Sequence, residues 1–428
     1  MFRAGLTFLR RLLCAAILLV LIVCGAEVGV RIFEVTWQTN ICPTAAAPCA
    51  VDPTGLLMPS WTMNRELKPH ALVSVKCRDS KREVPVRTNS LGLRGPEVVV
   101  PKPTGLFRIV LLGDEAIFAP ETPEAEHATR LLTELLQQQT QVPVEVVNAG
   151  LPGGCPLTEY LLFKQRLLAL QPDLVLLHFD WSDVSEDQRL RRHTRSSLDA
   201  TPLSCPHASL AATKRVTKPL NDLRQQFRLI DWGLTAASRQ WKLQLAEEMA
   251  STRDTSANPY AWLREERLAV TPALQQAFQP IRELARLSDR GHFQLAIITS
   301  PKPWQVSARC SSGKCCRLSS GVANEAYFPN RAPFDALAEF VIGQRLQFAD
   351  ATRALTSGRD PEANFLRHAP RWSPEGHRRM AEFLASFLNE RVSGPWNSRY
   401  LPSNEAPISR VPRLTPPVQW ASGERESR

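Results

Sequence analysis

"FRIVLLGDEAIFAP", residues 107–120, decides how the rest of the chain is read. Its run Ile109–Leu112 has the continuous apolar character of a strand covered on both faces, and it breaks at Gly113-Asp114-Glu115. In an α/β sheet, chemistry collects at the carboxyl ends of the strands. Glu115 stands at such an end, so its role is the question that the remaining sequence must answer.

The pattern repeats downstream. Thr122-Pro123 reads as an N-cap followed by proline at the first helical position, with Glu124 and Glu126 in the first turn. Ala128, Leu131, Leu132, Leu135 and Leu136 follow at helical spacing. "VEVVNAG" (144–150) predicts a second strand, "LTEYLLFKQRLLAL" (157–170) a second helix and "DLVLLHFD" (173–180) a third strand. "FQLAIITS" (293–300) and "RLQFADAT" (345–352) predict two more, and "PEGHRRMAEFLASFL" (374–388) a last helix. Strands alternating with helices imply a parallel sheet, with ligands bound outside the carboxyl ends of its strands. An insertion at about 184–292 interrupts the alternation; it has helical spacing and carries Trp232, Trp241 and Trp262, read as packing residues. Ahead of the sheet, residues 34–106 are proline-broken, with strand-like pieces in "ALVSVKC" and "EVPVRTN"; residues 393–428 show no periodicity and read as a disordered tail.

The first 33 residues read as an address. Arg3, Arg10 and Arg11 precede an apolar run from Leu12 to Ala26, which reaches the roughly 20 residues of a bilayer span if continued to Val30. Arginines on the cytoplasmic side would leave the rest of the chain outside. The expectation is a single-pass N-terminal transmembrane helix with an extracytoplasmic, periplasmic domain; a signal peptide cleaved after Ala26 is the rival. Cysteine usage agrees with export. Of 10 cysteines, Cys14 and Cys24 fall in the apolar segment, and spacing suggests staples between Cys42 and Cys49 and from Cys310 to Cys315 or Cys316. Lys+Arg at 52 against Asp+Glu at 42 gives +10, but the positive residues are scattered and no basic helix is interleaved with aromatics, which argues against nucleic acid.

Five stretches, "RTNSLGLRGPE", "RIVLLGD", "VEVVNAGLPGG", "LQPDLVLLHFDWSD" and "WSPEGHRRMAEFL", stand in one order. That order resembles the SGNH/GDSL hydrolase family, and in particular its membrane-anchored bacterial members. The resemblance covers about residues 84–184 and 290–390, and it implies a flavodoxin-like three-layer α/β/α sandwich around a five-stranded parallel sheet. It implies an ester hydrolase with a serine nucleophile after Gly-Asp, an oxyanion hole from that residue's N–H, a glycine and an asparagine, and a C-terminal Asp-x-x-His. Carried over, the serine position is Glu115, the glycine Gly153, the asparagine Ser182, the acid His368 and the base Arg371. Only the glycine is kept.

Arginine stays protonated and cannot act as a general base. Glu115 could in principle serve as a nucleophile, with Asp114, Asp180 and Asp183 forming an acidic cluster for a metal or for glycoside chemistry; the spacing of metal motifs is absent, and neither metal nor cofactor is expected. His127, His178 and His377 read as packing residues. The expectation is therefore a catalytically degenerate cell-envelope protein that binds or scaffolds, with an acylated glycan or ester as ligand. A Glu115–Arg371 ion pair would close its site. The rival is a divergent esterase or O-acetyl transferase or deacetylase.

Overall fold

The structure, a computed structural model, describes residues 55–207 and 272–397 except 314, 315 and 324, together with Gly25 and Leu210. The expected membrane segment (Gly25 aside), Cys42, Cys49, Cys315, the three tryptophans of the insertion and residues 398–428 of the tail lie outside the described residues. Among the described residues no helix is long and apolar enough to cross a membrane.

The two strand-like pieces of the extension pair with each other. After a small hairpin of β1 (Leu57–Pro59) and β2 (Arg65–Leu67), β3 (Leu72–Lys76) runs antiparallel to β4 (Glu83–Arg87). Its alternating residues Val84 and Val86 are buried while Glu83, Pro85 and Arg87 face out, the period of a half-covered strand. "TNSLGLRG" then turns the chain onto the sheet. Asn89 Oδ1 accepts the N–H groups of Leu91 and Leu93 at 3.0 and 2.9 Å, and Gly92 (φ +71°) packs so closely that a Cβ would stand 2.5 Å from the Leu67 carbonyl oxygen. Arg94, nearly fully buried, donates to the carbonyls of Phe118, Ala119 and Thr122. The motif is thus a clamp on the loop that follows the first sheet strand.

That sheet is built from β5 (Phe107–Gly113), β6 (Val144–Gly150), β7 (Leu174–Phe179), β10 (Gln294–Thr299) and β11 (Gln347–Asp350), all parallel, in the order β11-β10-β7-β5-β6. A two-stranded ribbon, β8 (Arg195–Ser196) with β9 (Pro202–Ser204), lies between β7 and β10 in the chain. The first sheet strand sits between the second and third, the flavodoxin-like order, so its switch point falls between β5 and β7. Pleating sends alternate residues to opposite layers. Val110, Leu112, Val175, Leu177 and Ile297 join one core with α3 (Pro156–Gln165) and α5 (Pro272–Gly291); Ile109, Leu111, Leu174, Leu176 and Ile298 join another with α2 (Ala128–Gln137) and α6 (Pro374–Arg391).

Two local expectations need correction. The helix placed after Thr122-Pro123 begins at Ala128; Glu124–Glu126 form a 3₁₀ turn, and His127, extended at φ −81° and ψ 141°, caps the helix through its side chain. Arg94 holds the Thr122 carbonyl, which fixes the loop ahead of the helix. The staple expected from Cys310 is not formed either. Cys310 is a free thiol packed in the core shared with Phe365 and Trp372, and burial pushes its pKa up to about 11. Cys77, Cys155 and Cys205 are also buried free thiols.

Candidate functional site

Asp114 ends β5 and caps the short helix α1 (Glu115–Phe118), its Oδ1 accepting the Ala116 N–H at 2.9 Å. The cap turns Glu115 out over the strand ends, where it is half-buried. Across from it, β6 runs into the loop 151–155, in which Gly153 adopts φ +69° and so presents its N–H. That N–H donates to Glu115 Oε1 at 2.9 Å. Of the five positions the resemblance singled out, Glu115 and Gly153 are therefore in direct contact.

Ser182 follows β7, opening α4 (Asp183–Arg191). Its hydroxyl donates to Asp180 Oδ1 and stands 3.4 Å from Asp114 Oδ2, which brings it to the same strand ends. The other two positions are tied elsewhere. Arg371 grips Glu121 with two nitrogens, Nε at 2.9 Å from Oε2 and a terminal nitrogen on Oε1. This corrects the expected Glu115–Arg371 pair: the guanidinium is met by the carboxylate on the loop that Arg94 clamps, while Glu115 is met by a backbone donor. His368 Nδ1 lies 2.7 Å from Asp79 Oδ1, and the same carboxylate accepts the N–H groups of Arg367 and His368. Asp79 belongs to the β3–β4 turn, so the extension holds the C-terminal motif in place.

Beneath these residues lies a buried ionisable cluster: Asp114, Glu159, His178, Asp180, Asp183 and Lys302 are all at most 7% exposed. Burial, then the charges of Asp180 and Glu115, holds Asp114 well above the usual carboxylate range despite Lys302 nearby. Glu159 is raised by burial and by Asp114 and Asp180, and Asp183 by burial and by Glu159. Asp180 is the exception. Burial alone would push it up, but the Lys302 ammonium paired with it and His178 beside it bring it below the ordinary value. Burial also lowers His178 to about 4, so its ring is neutral.

Sequence reasoning placed Asp114, Asp180 and Asp183 near one another but missed Glu159, Lys302, Glu121 and Asp79. Glu159 left a signal, being a lone acid inside the apolar run "PLTEYLLF". Asp79 and Glu121 left none, because their partners lie more than two hundred residues away. His127 and His377, read as packing residues, do pack: their rings lie 4.7 Å apart, both fully enclosed.

The arrangement can present donors and carboxylates at a half-buried surface, but no base faces a hydroxyl nucleophile at the carried-over positions. No family model matches the chain, and no curated protein matches it. Among solved structures it is similar to a lipolytic protein of the G-D-S-L family from Desulfitobacterium hafniense, at 13% identity and TM-score 0.33, covering 66% of this chain and 99% of that one. A lipase/acylhydrolase from Enterococcus faecalis gives 13% identity and TM-score 0.35, covering 66% and 95%. A catalytic mutant of an acetylxylan esterase from Geobacillus stearothermophilus gives 12% and 0.34, covering 66% and 94%. The strand order and the seats of the five sequence stretches agree with the SGNH/GDSL-like fold that those stretches resemble.

Proposed function

We propose that the chain is a cell-envelope binding or scaffolding protein on an SGNH-like domain that has lost hydrolase chemistry. One observation carries the reading: Glu115 Oε1 accepts the Gly153 N–H at 2.9 Å. In acyl transfer that donor would wait for the oxyanion of the tetrahedral intermediate. Here a resident carboxylate already occupies it, on the side chain that replaces the nucleophile. Arg371, bound to Glu121, offers no proton acceptor in exchange. The class of ligand follows the family resemblance and is an acylated glycan.

The test is turnover by the purified full-length protein on p-nitrophenyl acetate and acetylated xylan, beside a Glu115→Ala variant. The expected result is no hydrolysis above the protein-free blank for either, with saturable binding of acetylated oligosaccharide. Ester turnover by the wild type that disappears in Glu115→Ala overturns the reading in favour of a carboxylate-dependent esterase.

A further inference from the structure

At the switch point of the sheet the chain buries polar groups that it does not satisfy. Both oxygens of Glu159, Oδ1 of Asp183 and Nδ1 of His178 have no hydrogen-bond partner among the described residues, and all three side chains are completely enclosed. An unpaired buried polar atom costs free energy, and an unpaired buried carboxylate costs more. The ion pair within the cluster, Lys302 with Asp180, answers one of four carboxyls. Such a surplus does not serve stability, since hydrophobic residues would fill the space at less cost.

The geometry is more specific than a patch of acids. One ring nitrogen of His178 and one carboxylate oxygen each from Asp114 and Asp180 lie within 4.8 Å of one another. Ser300 Oγ lies 2.9 Å from Nε2 of His178, which orients the ring, and the buried Nδ1 has no hydrogen-bond partner among the described residues. A hydrogen-bonded second nitrogen is the usual way in which a metal-binding imidazole is oriented. The two aspartates come from the ends of β5 and β7, one on each side of the switch point, where open α/β sheets bind ligands.

We propose that Asp114, His178 and Asp180 form a binding site for a divalent transition-metal cation of the zinc or manganese class. An imidazole nitrogen with two carboxylate oxygens suits those ions, whereas Mg²⁺ and Ca²⁺ favour all-oxygen sets. Three protein ligands leave coordination positions open, as in metal sites that bind an exogenous group. Lys302 is the built-in competitor: its ammonium occupies Asp180 and must move off when a cation enters. The proposal does not depend on whether the domain is catalytically silent.

The experiment is metal analysis by inductively coupled plasma mass spectrometry, joined to thermal melts. Purified full-length protein is stripped with EDTA and then dialysed separately against Zn²⁺, Mn²⁺, Mg²⁺ or Ca²⁺. The expected result is about one equivalent of Zn²⁺ or Mn²⁺ per chain and a melting temperature that rises with metal concentration. His178→Gln and Asp180→Asn should each lower affinity at least about tenfold, while Lys302→Met should raise it. Because a ligand variant can misfold, Lys302→Met carries independent weight, and far-ultraviolet circular dichroism accompanies each. Less than about a tenth of an equivalent in both wild type and Lys302→Met overturns the proposal. So does uptake that is indifferent to His178→Gln and Asp180→Asn, or a preference for Mg²⁺ or Ca²⁺.

Discussion

A glutamate where a serine nucleophile is expected poses a question that one substitution can address. Restoring the hydroxyl in Glu115→Ser would free the Gly153 N–H, but the new serine would still have no base. Arg371 cannot take its proton, and its guanidinium is committed to Glu121. In serine hydrolases nucleophile and base act as a unit, and losing either costs nearly as much as losing all, on the order of a million-fold in rate. Glu115→Ser alone is therefore expected to be inactive on p-nitrophenyl acetate. Adding Ser182→Asn, His368→Asp and Arg371→His supplies the remaining groups in name only, because a new aspartate at 368 would stand against Asp79 and a new histidine at 371 would face Glu121. Turnover by Glu115→Ser at a rate above blank, measured by nitrophenolate release, would show that some other side chain serves as base. The contact of Glu115 with Gly153 joins two positions that the sequence resemblance singled out by counting from its motifs. The partners of His368 and Arg371 were not legible in the sequence, because a pair such as Asp79 with His368 exists only once the chain has folded back on itself.

Elements were the most legible part of the chain, and the reasons are physical. The inner strands β5, β7 and β10 announce themselves because a strand covered on both faces must be apolar at nearly every position, and few other structures require that. The start of α2 was misplaced because a tertiary contact outweighs the local signal: Thr122-Pro123 has good capping chemistry, but the Thr122 carbonyl is held by Arg94 at 2.6 Å. That clamp gives a prediction. Arg94 sits against the Phe118 ring, donates to three carbonyls of one loop, and has its pKa lowered by burial to about 10. Arg94→Ala would strip those carbonyls of their donor and open a cavity, for an expected loss of about 3–5 kcal/mol. Arg94→Lys should recover only part, since an ammonium cannot match a planar fork. Urea denaturation checks this; a midpoint unchanged in Arg94→Ala would mean that the loop is held by something else.

Across the whole molecule, two sets of buried ionisable groups pull stability in opposite directions with pH. Asp114, Glu159 and Asp183 have raised folded pKa values, so their contribution is present at low pH and is lost as pH rises through those values. His127 and His377 do the reverse. Burial, then the neighbouring His377 and Arg94, holds His127 well below 6.5, and burial with Arg94 brings His377 to about 3. The unfolded chain protonates both near 6.5 while the folded one does not, so their contribution is intact above about pH 6.5 and erodes as pH falls toward 3. For His377 alone the loss at pH 5 is about 2 kcal/mol, from the distance between pH 5 and the unfolded value. His377→Gln, which stays neutral throughout, should therefore lose less stability than the wild type between pH 7 and pH 5. The carboxyl cluster lies in the background of both proteins and cancels in the comparison, and EDTA in the buffer keeps any cation out of it. Urea midpoints at the two pH values supply the measurement. Equal losses in both proteins would mean that His377 already carries a proton in the folded state, beside the Arg94 guanidinium and the His127 ring, with an acceptor for its Nε2 that is absent among the described residues.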